Sequence, residues 1–185
     1  MISKLAKSIA HFFVVQNITE ESKEVIYAYG MELLISDVLN TIIVLLIALF
    51  SHTLPAVVVF IAVFMGLRQF VGGFHANSHL SCMFTLVMVM MVFSYGICNV
   101  SGHITPIFSI SFIMIALPII LCIAPVPHPN KPMSEEKSVK LRKRSCILAV
   151  TLSVVTIALL VFQYQKLSLY VSSGMLLSAI MALLG

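Results

Sequence analysis

The sequence predicts an all-α, polytopic membrane protein with six transmembrane helices. Three observations predict it: a composition too poor in charge for water, six apolar stretches parted by short polar ones, and a lopsided placement of lysine and arginine. Of the 185 residues, 60% are hydrophobic and 10% charged, where a soluble domain carries about a quarter charged. The mean hydropathy of +1.09 is spread along the whole chain. Such a polypeptide must satisfy its backbone hydrogen bonds internally in lipid, and helices do that.

Ahead of the first span, residues 1–16 form an apolar run too short to cross a bilayer, with no small-residue cleavage signal after it, so no removable signal peptide is expected. Thr19-Glu-Glu-Ser22 is a candidate N-cap with acidic residues in the first turn. Val25, Ile26, Tyr29 and Leu33 then recur at helical spacing. The helix either lies on the inner surface or runs on into the first span, and residues 1–30 are expected as an N-terminal amphipathic, interfacial segment.

The six apolar stretches are 38–50, 54–67, 82–100, 104–124, 146–162 and 167–184. The third and fourth are the clearest. The first two are short against the roughly 20 residues a spanning helix needs. The first reaches that length by extending back through 31–36, which brings Asp37 into or near it, and the second by running on to Val71. Four spans with interfacial segments are the alternative.

Orientation follows from the basic residues, because short cytoplasmic loops are enriched in them. With the N-terminus inside, ten of the eleven fall on the cytoplasmic side: Lys4, Lys7, Lys23, Arg68, Lys131, Lys137, Lys140, Arg142, Lys143 and Arg144. Lys166 alone falls outside. Both termini are therefore expected in the cytoplasm. The net charge of +4 is concentrated in stretches that suit anionic lipid headgroups, so membrane lipids are expected as partners and nucleic acid is not. The four cysteines, Cys82, Cys98, Cys122 and Cys146, show no CxxC pair and no disulfide framework, and three are expected as small core residues.

Between the fourth and fifth spans, four prolines (Pro125, Pro127, Pro129 and Pro132) fall within eight residues, a stiff extended segment rather than a helix. Ser134-Glu-Glu-Lys137 then opens a basic helix leading into the fifth span. Residues 125–145 thus read as a proline-rich and basic cytoplasmic loop, either a plain linker or a guide for substrate.

Chemistry is concentrated at Arg68-Gln-Phe-Val-Gly-Gly-Phe-His-Ala-Asn-Ser-His-Leu-Ser-Cys82, so residues 68–82 are the candidate catalytic segment of a single domain covering 1–185. A cysteine attacks as thiolate, and a nearby imidazole can take its proton. On an unbroken helix His75 and Cys82 share a face but lie about 10.5 Å apart along the axis, too far to touch. His79 is the closer neighbour. His75 can pair only where the chain folds back, for which Gly72 and Gly73 supply the backbone freedom. His75, His79 and Cys82 also have zinc-competent spacing, but HExxH is missing and no carboxylate stands by, so neither a metal nor another cofactor is expected. A transporter would need intramembrane ionisable groups, and Asp37 is alone near a span interior.

This stretch resembles the accessory gene regulator B family of bacterial quorum-sensing systems, which share an Arg, a Gly-Gly-x-His-Ala and a Cys seven residues after the His. The segment from Ala124-Pro125 to Asn130-Lys131-Pro132 resembles the family's proline-rich loop, and the likeness covers essentially the whole chain. It implies a multi-pass bacterial membrane cysteine endopeptidase. Such an enzyme cuts the C-terminal part off an AgrD-type propeptide and leads to a cyclic autoinducing peptide. The resemblance implies Cys82 as nucleophile and His75 as base, overriding the spacing preference for His79, and so implies a break near Gly72 and Gly73. Candidates for oxyanion stabilisation or substrate positioning are Arg68, Gln69, Gly72 and Gly73, with Asn130 and Lys131 as substrate contacts. A homodimer is expected from the family. Asp37, Glu32 and Asn77 are equal candidates for a third catalytic group.

Overall fold

The computed structural model describes residues 2–16, 18–73, 79–126 and 135–185, without the side chains of residues 2, 21, 33, 37, 79–82 and 137. Among the described residues the chain is helical, with one isolated β-bridge. Seven α-helices follow in order: α1 (Ile2–Val15), α2 (Glu24–Phe50), α3 (Leu54–Val71), α4 (His79–Met91), α5 (Thr105–Ile123), α6 (Glu135–Val161) and α7 (Gln165–Leu183). Five are long and apolar enough to cross a membrane: α2, α3, α5, α6 from Ser138, and α7. The sixth apolar segment, Met83–Asn99, is shorter. It continues α4 through a π-helical turn (Val92–Gly96) and a 3-10 turn (Ile97–Asn99). All six expected apolar stretches are therefore helical, and four spans are too few.

The N-terminal segment differs in detail from expectation. Residues 1–30 hold two elements: α1 and the start of α2, which runs unbroken into its apolar part. Thr19 does not cap α2, which begins after a 3-10 turn at Glu21–Lys23 with no side-chain cap. The reason is local. Ile18 N–H donates back to the Phe13 carbonyl of α1 at 2.9 Å, closing the turn between the helices. Helix α1 folds back along α2, burying Ala6 and Ala10 while Lys4, Lys7 and His11 stay exposed. Phe13 meets Tyr27 edge to face at 6.3 Å.

Short connections make successive spans antiparallel. The C-termini of α3, α5 and α7 and the N-termini of α2, α4 and α6 therefore share one end of the bundle. Among the described residues, all the basic ones except Lys166 belong to this basic end or to α1. Around it, Leu67 and Val71 (α3), Ala116 and Ile120 (α5), Ala149 (α6) and Met175, Ala179 and Ala182 (α7) form one core cluster. The second, toward the opposite end, joins Val44 and Ala48 (α2) to Val57 and Phe60 (α3), Met90 (α4) and Phe93. The Phe60 and Phe93 rings stack at 4.2 Å.

Helix α7 is the centre. It packs on α3, α5 and α6, and its interface is small and hydroxylated: Ser168, Ser172, Ser173, Gly174, Ser178, Ala179 and Ala182. Small residues let helix backbones approach closely where lipid provides no hydrophobic drive between helices. At Gly174 the backbones of α7 and α3 approach closely, since an added Cβ would stand 2.9 Å from the Phe60 carbonyl oxygen and 3.0 Å from Val63 Cβ of α3. Each hydroxyl is satisfied: Ser109 and Ser168 bond across α5 and α7 at 3.1 Å, and Ser178 donates to the Gly174 carbonyl at 3.0 Å. Of the three cysteines expected in the core, Cys98 is buried, Cys146 half-buried and Cys122 exposed. Cys122 lies on a face of α5 turned away from α7, where lipid tolerates a thiol as readily as protein does.

Candidate functional site

Helix α3 ends because Gly72 leaves right-handed space. Its φ is 75° and that of Gly73 is 114°, conformations in which any side chain is strained. The break expected near these glycines is present. Gly72 N–H still donates to the Arg68 carbonyl at 3.0 Å and caps the helix.

Two other parts of the chain hold this turn. The segment after α5 runs beside it as a parallel bridge between Gly72 and Val126, with Val126 N–H donating to the Val71 carbonyl at 2.9 Å. A Cβ on Gly72 would meet the Val126 oxygen at 2.7 Å. Gly73 rests on the last turn of α7. A Cβ there would collide with the Met181 carbonyl, 2.7 Å from its carbon and 3.0 Å from Ala182 N. Glycine is required at both positions by backbone approach as well as by φ. The start of the proline-rich loop, the end of α7 and the glycine turn are thereby one assembly.

Arg68 and Gln69 occupy the last turn of α3. Arg68 is half-buried, and its guanidinium carbon lies 5.6 Å from the centre of the Phe64 ring, within cation–π range. A cation there also suits the negative end of the helix dipole. Gln69 is exposed. Cys82 is the fourth residue of α4 and His79 the first. The first turn of a helix leaves amide N–H groups without intrahelical partners and favours negative charge. His75, Asn77, Asn130 and Lys131 lie outside the described residues. Glu32 and Asp37 both stand in α2.

On the far side of the loop, α6 begins at Glu135 and carries Lys140, Arg142, Lys143 and Arg144 before its apolar part, with Lys140 paired to Glu136 one turn back. The basic helix expected after Ser134 is therefore present and continuous with the fifth apolar stretch. The backbone brings together the last turn of α3, the Val126 bridge and the last turn of α7, and α4 begins at the same end of the bundle. Sequence reading missed the roles of Val126, Phe64 and the Met181–Ala182 backbone. The contacts of Met181 and Ala182 are made by main-chain atoms, on which side-chain identity leaves no mark.

A family model described as Accessory gene regulator B matches residues 3–182. A relative from Clostridium beijerinckii, described as an AgrB-like protein, is 25% identical over 145 residues, covering 76% of this chain and 71% of the relative. No solved structure matches. The whole-length match agrees with a polytopic helical chain whose glycine turn meets Val126 and the last turn of α7. This chain belongs to the accessory gene regulator B (AgrB) family of multi-pass membrane proteins, which act in the processing of quorum-sensing autoinducers.

Proposed function

We propose that this chain is a membrane-embedded cysteine endopeptidase that cleaves the C-terminal part from a small AgrD-type propeptide and leads to a cyclic autoinducing peptide. Cys82 is the nucleophile and His75 the base. The observation that carries the reading is the glycine turn. It ends α3 in a turn held on both sides, because Val126 and the last turn of α7 both pin it. The pinned turn stands just before His75, and the helix that carries Cys82 begins at His79, which supports an approach of His75 to Cys82.

The reaction balances as two acyl transfers. The Cys82 sulfur attacks the scissile carbonyl, forming a C–S bond while the peptide C–N bond breaks. His75 takes the thiol proton and passes it to the leaving amine. A thiol or hydroxyl within the propeptide then attacks the thioester, giving a thiolactone or lactone and returning the Cys82 thiol. Exclusion of water at the membrane surface favours this ring closure over hydrolysis. Cys82 belongs to the first turn of α4, the end of a helix that favours negative charge, which supports the reading. With Gly72 N–H committed to the Arg68 carbonyl, oxyanion stabilisation is assigned to the Gly73 N–H or to the Arg68 or Gln69 side chain. Gly72 and Gly73 act as positioning residues.

In this reading the basic end faces the cytoplasm of a bacterial cell, with both termini there and the propeptide arriving from the same side. Asn130 and Lys131 contact substrate, the basic start of α6 receives acidic propeptide residues or anionic lipid, and two copies form the working dimer. Inhibition chemistry tests the mechanism. Membranes containing the protein and a synthetic propeptide are treated with a thiol alkylator or with a chelator. Loss of cleavage with the alkylator alone, plus a hydroxylamine-labile propeptide adduct, is the expected result. Loss with the chelator alone points to a metal enzyme, and absence of cleavage in every sample to a non-catalytic membrane protein.

A further inference from the structure

On the side of the bundle a cleft of about 290 Å³ opens between α4 and α7, lined among others by Met88, Val92 and Ile97 beside α7 residues Leu176 and Ile180, so that it runs from the Ile97 end inward toward the glycine turn. Phe112 of α5 forms another wall, and the lining is almost wholly apolar. Two features are special to this place. The α4 wall is where the helix widens into its π-helical turn at Val92–Gly96, a local irregularity that often accompanies a binding function. The second is Lys166, among the described residues the one basic residue remote from the basic end. Its ammonium donates to the Cys98 carbonyl at 3.3 Å, directly beyond Ile97 at the mouth of the cleft. An ammonium has three protons to donate, so one such bond leaves room for a further acceptor, and Lys166 is exposed.

We infer that this cleft holds one acyl chain of an anionic glycerophospholipid, whose phosphate is met by Lys166. Shape suits this occupant. The α4 wall from Met88 to Ile97 rises about 14 Å at helical pitch, about half of a hydrocarbon core of about 30 Å, and the α7 wall carries the groove on to Ile180. An extended acyl chain entering from the Lys166 end fills such a groove. Charge selects the headgroup, because the cation stands at the helix ends, where phosphates lie, and the groove leads inward from it. The bound chain fills the gap behind the helix that begins with the cysteine segment. The inference does not depend on the peptidase reading.

Photolabelling tests it. The full chain is reconstituted with phosphatidylglycerol or phosphatidylcholine bearing the same diazirine-labelled acyl chain, and labelled peptides are mapped by mass spectrometry. Label is expected on 88–97 and 173–180, about fivefold stronger with phosphatidylglycerol, as one cationic contact implies. Lys166→Gln should remove the headgroup preference. Met88→Trp, which fills the cleft from its exposed rim, should remove label from the cleft but not from exposed Val154 on α6. Two outcomes overturn the inference: equal labelling of the cleft and of Val154 irrespective of headgroup, or high-yield disulfide formation between two copies carrying Val92→Cys.

Discussion

Helices α5 and α7 have the same length, 19 residues, and both are apolar enough to span, yet they sit oppositely in the molecule. Within their most apolar windows, 56% of α7 is buried but only 22% of α5. By mean hydropathy α7 is the least apolar of the five long spans and α5 the most. In water the more apolar helix would be inside. Lipid removes that drive, so position is decided by how closely backbones can approach and whether hydroxyls find partners. The serines, Gly174 and the alanines of α7 meet both conditions, while Ile107, Ile110, Met114 and Ile115 of α5 face outward.

The sharpest way to break this contrast is to put volume where α7 has none. Gly174→Leu must push against the Phe60 carbonyl and Val63 and is expected to cost about 3 kcal/mol, at the upper end for overpacking, or to prevent folding. Unfolding in mixed micelles reads it. Gly73→Ala introduces a Cβ against the last turn of α7 at a φ of 114°. It is expected to lower propeptide cleavage on the order of 10²-fold, the loss that a displacement of about 1 Å can cause, at similar membrane yield. Ser178→Ala removes bonds to the Gly174 and Phe64 carbonyls. About 0.6 kcal/mol of stability should go with them, as is typical of hydroxyl bonds between membrane helices. Met114→Leu on the outward face of α5 should change stability by less than about 0.5 kcal/mol. A large loss there would show that α5 has a protein partner on that face.

Periodicity and hydropathy made the spans legible. The second was expected to run on to Val71, where α3 ends, and the basic helix after Ser134 begins as α6 at Glu135. Those boundaries are local: a glycine pair stops one helix and acidic residues open the other. The separate run at residues 1–16 was legible, but its pairing as a hairpin with α2 was not, because the burial of Ala6 and Ala10 depends on contacts with another helix. Nor was the central place of α7, since hydropathy ranks helices by lipid affinity and not by packing. At the candidate site, the glycine break could be read from Gly72-Gly73. The bridge to Val126 and the seat on Met181 and Ala182 depend on contacts between residues more than fifty positions apart in sequence, which no local pattern encodes.

The most direct test of the peptidase account is cleavage of a co-expressed propeptide in membranes bearing the wild-type chain, Cys82→Ala, His75→Ala or His79→Ala. The account predicts loss of cleavage for Cys82→Ala and His75→Ala with His79→Ala active. Cleavage that survives Cys82→Ala would contradict it.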